Sequence, residues 1–209
     1  MKRALILVDI QNDFLPGGAL AVAGGDQVVG PANRIQSAFD LVVATQDWHP
    51  ANHGSFASQH PGRKPGDVID LNGIAQVLWP DHCVQGSRGA EFHPRLDLRR
   101  VAKIFQKGID PGIDSYSAFF DNAHRRGTGL AEYLKSQSVT AIYVCGLATD
   151  YCVKFTTLDG RTLGFDTWIV EDGCRGVNLQ PGDSAEAIDQ MRSAGVRVVT
   201  SDDLAPVLT

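Results

Sequence analysis

Cys152 lies in Gly146-Leu147-Ala148-Thr149-Asp150-Tyr151-Cys152-Val153, just beyond an apolar run, where a thiol could serve as a nucleophile. Thr149 is a candidate helix N-cap, which puts Cys152 at the third helical position. The positive end of the helix dipole and the free backbone N–H groups would favour a thiolate there and could hold an oxyanion. Such a nucleophile needs a proton acceptor, and no His falls at the end of a neighbouring predicted strand. Asp9, in Val8-Asp9-Ile10-Gln11-Asn12-Asp13-Phe14, is better placed. A carboxylate becomes a useful base when burial or a nearby negative charge raises its pKa. Lys107 would hold Asp9 and help stabilise the thiolate, giving an Asp/Lys/Cys triad. An isolated Cys is more often a small buried apolar residue, and Cys83, Cys145 and Cys174 keep that reading.

A second group has the chemistry of a metal site. Asp47-Trp48-His49 places two ligands at i and i+2, on one side of an extended segment. His82, in Trp79-Pro80-Asp81-His82-Cys83, could supply a third. One carboxylate and two imidazoles leave positions open for water or substrate and suit zinc or iron(II). His53 is a candidate fourth ligand or a supporting partner of the set. His60, His93 and His124 read as surface or hydrogen-bonded residues, and Asp13 and Asp81 as solvated or capping carboxylates.

The elements that must position these groups follow from apolar runs. Lys2–Val8, 41–45, 101–105, 140–145, 167–170 and 196–199 read as strands buried on both faces. Segments with helical spacing fall at 26–39, 129–136, 150–163 and 184–194. Alternation of this kind implies a three-layer αβα sandwich, an α/β fold around a mostly parallel, roughly six-stranded sheet. The stretch 48–100, rich in Pro, Gly, His and Asn, is too long for a plain connection and is expected to be irregular and functional. Asp9, Asp47, Lys107 and the 146–152 segment each follow the carboxyl end of a predicted strand, where open α/β sheets bind ligands.

The whole chain of 209 residues reads as one domain, residues 1–209, with 43% hydrophobic and 21% charged residues. A net charge of −5 offers no basic footprint for nucleic acid. The apolar run Ala4–Val8 stops at Asp9, too short for a secretion signal or a membrane span. Four cysteines without a C-x-x-C pair point to reduced thiols in the cytoplasm. No G-x-S-x-G, G-x-G-x-x-G or P-loop occurs, which argues against serine hydrolase, dinucleotide and nucleotide chemistry.

Five separated segments together resemble the nicotinamidase/pyrazinamidase branch of the isochorismatase-like hydrolases. They are Val-Asp-Ile-Gln-Asn-Asp-Phe, Asp-Trp-His-Pro-Ala-Asn-His, Trp-Pro-Asp-His-Cys-Val, Lys107-Gly108 and Gly-Leu-Ala-Thr-Asp-Tyr-Cys-Val, in the family's order from Val8 to Val153. The resemblance implies that Asp9, Lys107 and Cys152 form the catalytic triad. It implies that Asp47, His49 and His82 bind one divalent metal ion, zinc first, with iron and manganese as alternatives. His53 is a ligand in some relatives and a supporting residue in others. The resemblance further implies an oxyanion hole from the Ala148 and Cys152 N–H groups, a cis peptide before Ala148, and a substrate ring held by Phe14, Trp79 and Tyr116.

The expected reaction is hydrolysis of nicotinamide, and of pyrazinamide, through a Cys152 thioester, as part of NAD salvage. Asp9 would move the protons, and water activated by Asp9 or by the metal would release the acid. The expected partner is a small-molecule substrate, with no nucleic acid and no membrane, and homo-oligomer formation stays open. Two rivals stand beside this. One is another amidohydrolase of the superfamily acting on a carbamoyl or ureido compound, whose branches generally lack Asp47, His49 and His82 together. The other is a non-catalytic metal-binding or thiol-redox protein, which would want a second thiol near Cys152.

Overall fold

The computed structural model describes residues 1–204. Its centre is a six-stranded, all-parallel sheet of β1 (Lys2–Val8), β2 (Leu41–Asp47), β5 (Val101–Lys107), β6 (Val139–Leu147), β7 (Asp166–Arg175) and β8 (Arg197–Val199), in the order β5-β2-β1-β6-β7-β8. Every residue of β2 and the last five of β1 are buried, so both faces of the middle of the sheet are covered. The covering elements include α1 (Val29–Ile35), α2 (Leu130–Ser136), α3 (Lys154–Thr162) and α4 (Asp183–Ser193). Among the described residues no helix is long and apolar enough to cross a membrane.

Three expectations need correction. The helix expected over 26–39 is a 3-10 turn, a short α-helix with Pro31 in its first turn, and a second 3-10 turn. The stretch expected to be irregular carries an antiparallel hairpin, β3 (Val68–Leu71) and β4 (Ile74–Val77), turned at Asn72-Gly73. Asn72 and Gly73 both have positive φ, the signature of a two-residue turn, so the signal stood in the sequence. Thr149 does not cap a helix: Ala148 is the extended residue before a π-helical turn over Thr149–Val153, closed by the Val153 N–H donating to the Ala148 carbonyl at 3.0 Å. Cys152 is the fourth residue of that turn, not the third.

Strand order decides where a ligand can bind. The chain runs from β1 to β2 on one side, whereas β6 pairs with β1 on the other. The connections diverge there, opening a crevice at the carboxyl ends of β1 and β6. Asp9 leaves β1 with φ of 47°, a left-handed conformation that Asp tolerates better than most residues. Gly146 sits opposite Val8 with φ of 126°, and a Cβ there would lie 2.0 Å from the Val8 carbonyl oxygen. Only glycine lets β6 pass this close on its way to the Cys152 turn.

Candidate active site

Register brings the charged groups together. β2 and β5 run in parallel with Asp47 beside Lys107, the last residue of each strand. Lys107 Nζ lies 2.5 Å from Asp47 Oδ1, 2.8 Å from the Ser115 carbonyl and 3.3 Å from Cys152 Sγ. It is also 2.9 Å from Asp9 Oδ2, a buried ion pair. The other oxygen, Asp9 Oδ1, accepts from the Thr45 hydroxyl at 2.7 Å. One acceptor atom each of Asp9, Asp47 and Cys152 lies within 4.8 Å of the others, around the Lys107 ammonium. Asp9, Lys107 and Cys152 are all buried.

Burial and charge set the protonation states. For Asp9 desolvation is the largest influence, and with the neighbouring Asp47 charge it outweighs Lys107 and Thr45, so the carboxyl pKa is raised. Burial also pushes the Cys152 thiol well up, and the Lys107 ammonium offsets this only in part. The resting sulfur is therefore a thiol, not the thiolate that a helix N-terminus would favour. Burial works against the charge on Lys107 too, yet Asp47, Asp9 and Cys152 hold it well above its ordinary value. Asp47 goes the other way: despite burial, Lys107 and His49 keep its carboxyl well below the usual range. The arrangement is an ionised lysine between two carboxylates, facing a thiol that burial keeps protonated.

The second group shares Asp47. Its Oδ2 lies 3.5 Å from His49 Nε2 and 3.8 Å from His82 Nε2. His49 Nδ1 donates to the Gly108 carbonyl and His82 Nδ1 to the Pro80 carbonyl, each at 2.8 Å. Carbonyls only accept, so both rings carry the Nδ1 proton and can present a bare Nε2. His49 Nε2 is buried without a hydrogen-bond partner, and donor atoms of Asp47, His49 and His82 lie within 4.8 Å of one another. A carboxylate and two imidazoles with oriented lone pairs fit a divalent cation such as zinc. His53 differs: the Ser55 backbone N–H donates to its Nδ1 at 3.2 Å, which leaves the proton on Nε2. Burial lowers its pKa to about 4, so the ring is neutral.

Phe14, Trp79 and Tyr116 line one small cavity with Asp47, His82, Ala148 and Cys152. Tyr151 and Asp114 also face it, and neither was singled out in the sequence. Tyr151 packs edge-on against Trp79 at 4.8 Å between ring centroids, and its place beside Cys152 was the available signal. Asp114 lies in a loop with no motif. The Leu147–Ala148 peptide is cis, and Ala148 and Cys152 sit together at the cavity wall. A separate surface cleft, along Asn12–Gly18 and Arg88–Arg95, does not include Cys152. His60 bonds the Gly54 carbonyl, His93 accepts from the Arg95 N–H, and His124 is paired with Asp159. Asp13 accepts from the Cys83 and Ala19 N–H groups, and Asp81 from the Ser58 hydroxyl.

A buried thiol, carboxylate and ammonium at the switch point of a parallel sheet, beside a carboxylate–imidazole set, mark an α/β hydrolase. The isochorismatase domain model matches residues 3–203, and the chain belongs to that family. It is 54% identical over 205 residues to the nicotinamidase of Escherichia coli (strain K12), with 96% of each chain covered. A nicotinamidase/pyrazinamidase from Acinetobacter baumanii superposes with a TM-score of 0.94 at 47% identity, covering 97% of this chain and 98% of that one. The pyrazinamidase of Pyrococcus horikoshii, solved in complex with zinc, gives 0.78 at 38% identity over 96% of this chain and 99% of that one.

Proposed function

We propose that the chain hydrolyses nicotinamide to nicotinate and ammonia, and pyrazinamide to pyrazinoate, within NAD salvage. The observation that carries the chemistry is the Lys107 ammonium held between Asp9 and Cys152. The aromatic walls formed by Phe14, Trp79, Tyr116 and Tyr151 suit a flat ring.

Asp9 takes the proton from the Cys152 thiol as sulfur attacks the carboxamide carbon. The C=O bond opens to an oxyanion, which the Ala148 and Cys152 N–H groups stabilise. Asp9 returns the proton to the amide nitrogen, the C–N bond breaks, and ammonia leaves a Cys152 thioester. Water then gives a proton to Asp9 while its oxygen attacks the thioester carbon. Collapse releases nicotinate, and Asp9 reprotonates the sulfur. A raised Asp9 pKa matches this cycle, since the group must both accept and donate near neutral pH. Lys107 stays charged throughout and stabilises the sulfur as its negative charge develops.

Asp47, His49 and His82 would hold one divalent ion, with zinc favoured by the donor set and by the zinc complex of the Pyrococcus relative. Bound there, the ion would supply a Lewis acid for the pyridine nitrogen and so orient the ring. His53, with its proton on Nε2, stands beside the set rather than in it. Four free, buried cysteines suit a reducing compartment such as the cytoplasm.

The test is ammonia release from nicotinamide, pyrazinamide and a ureido compound, with and without a chelator. Turnover of nicotinamide that is lost on chelation is expected. A preference for the ureido compound would overturn the substrate assignment.

A further inference from the structure

Asp114 is a buried carboxylate that the cycle above does not use. It lines the substrate cavity, with one donor to each carboxylate oxygen. Its Oδ1 accepts from the Ser115 N–H at 2.7 Å. Its Oδ2 has the Gln76 side-chain amide at 3.2 Å. That nitrogen also lies 2.7 Å from the Val77 carbonyl and 2.9 Å from the Tyr116 hydroxyl. Two N–H bonds face three acceptors, and the longest contact belongs to Asp114. Other buried carboxylates are met by the backbone: Asp121 accepts from the N–H groups of Ala123, Arg125 and Arg126, and Asp150 from those of Val177 and Asn178.

What faces Asp114 is imidazole. One of its oxygens lies within 4.8 Å of donor atoms on both His49 and His53. His53 Nε2, which carries that ring's proton, is buried with no partner. The placement of the carboxylates points the same way. Asp9 and Asp47 share one buried ammonium, Lys107, whereas Asp114 lies on the imidazole side of the cavity, beside His49 and His53. Buried charge is costly in a low-dielectric interior, and a divalent cation on Asp47, His49 and His82 would offset that cost.

We propose that Asp114 is the outer carboxylate of the metal centre, acting with His53: it balances the cation's charge and raises metal affinity without being one of the three ligands. This presupposes the metal site proposed above. Asp114 is a positioning residue, and its role is separable from a purely structural one. A cation on Asp47, His49 and His82 would lie next to the imidazoles that Asp114 faces, so the carboxylate would act on the loaded protein more than on the metal-free one.

The experiment compares wild type, Asp114→Asn and Asp121→Asn, each as the full chain stripped with chelator and then titrated with zinc. Zinc affinity is read by competition with a chromophoric chelator, and the melting temperature is read with and without zinc. Asp114→Asn should bind zinc about tenfold or more weakly, the range found when outer partners of metal ligands are lost. Its metal-free melting temperature should stay close to that of wild type, while its upward shift on zinc addition shrinks. Asp121→Asn should lower the melting temperature equally in both states and leave zinc affinity unchanged. Wild-type zinc affinity in Asp114→Asn, or an equal drop in both melting temperatures, would overturn the role of Asp114 while the metal site stands. If wild type itself takes up no zinc, the metal site and this inference fail together.

Discussion

Asp47 and Lys107 join two sites that the sequence presents as separate. Lys107 Nζ is 2.5 Å from Asp47 Oδ1, while Oδ2 of the same carboxylate faces His49 and His82. One side chain thus anchors the ammonium beside the nucleophile and offers an oxygen to the proposed metal. The link is built by the β2–β5 register, which sets these two residues side by side at the strand ends. A change at either site should therefore be felt at the other.

Lys107→Met tests the cost of that link. Methionine keeps much of the length but leaves Asp9 and Asp47 facing each other without a cation. Breaking a buried ion pair by removing one partner costs about 3–5 kcal/mol. Chemical denaturation should show a loss of that size, together with loss of turnover. A loss below about 1 kcal/mol, the worth of an exposed pair, would mean that the ammonium is not holding the site together.

The pH dependence of kcat/KM should report Asp9. Burial raises its pKa, and the group works only when deprotonated. Activity should therefore be full at higher pH and fall as pH drops, with the acid limb above the ordinary carboxylate value of 3.8. Thr45→Val removes the hydroxyl that donates to Oδ1, a contact that favours the charged form, and should move the limb further up. A limb at or below 3.8, or one that Thr45→Val moves down, would contradict the assignment of Asp9 as the base.

Gly108→Ala addresses how His49 is aimed. Gly108 has φ of 64°, and a Cβ there would sit 2.3 Å from His49 Cε1. Its carbonyl also takes the His49 Nδ1 proton. The added methyl should turn the ring and weaken zinc binding by about 10–100-fold, measured by chelator competition. Wild-type affinity would show that the ring is not held by this contact.

Much of this was legible in the sequence because strand ends are marked by a change from apolar to polar residues. The six strands of the main sheet and the four groups at their carboxyl ends, Asp9, Asp47, Lys107 and the 146–152 segment, could be read from such changes. Register could not, because period-free apolar runs buried on both faces do not say which residue lies beside which. The Asp47–Lys107 pair therefore appeared only in three dimensions. Thr149 misled because its residue type favours capping, whereas the chain turns one residue earlier at Ala148. Asp114 and Gln76 escaped notice because their roles come from a loop and a hairpin meeting across 38 residues. At Cys152 the pull of a helix start toward the thiolate is outweighed by burial, which raises the thiol pKa.

The most direct measurement is ammonia and nicotinate release by Cys152→Ala, made on protein shown by circular dichroism and metal analysis to be folded and loaded like wild type. With the sulfur gone no thioester can form, and turnover should fall on the order of 10⁴-fold or more, as when other covalent nucleophiles are removed. Substantial hydrolysis of nicotinamide by that variant would contradict covalent catalysis at Cys152.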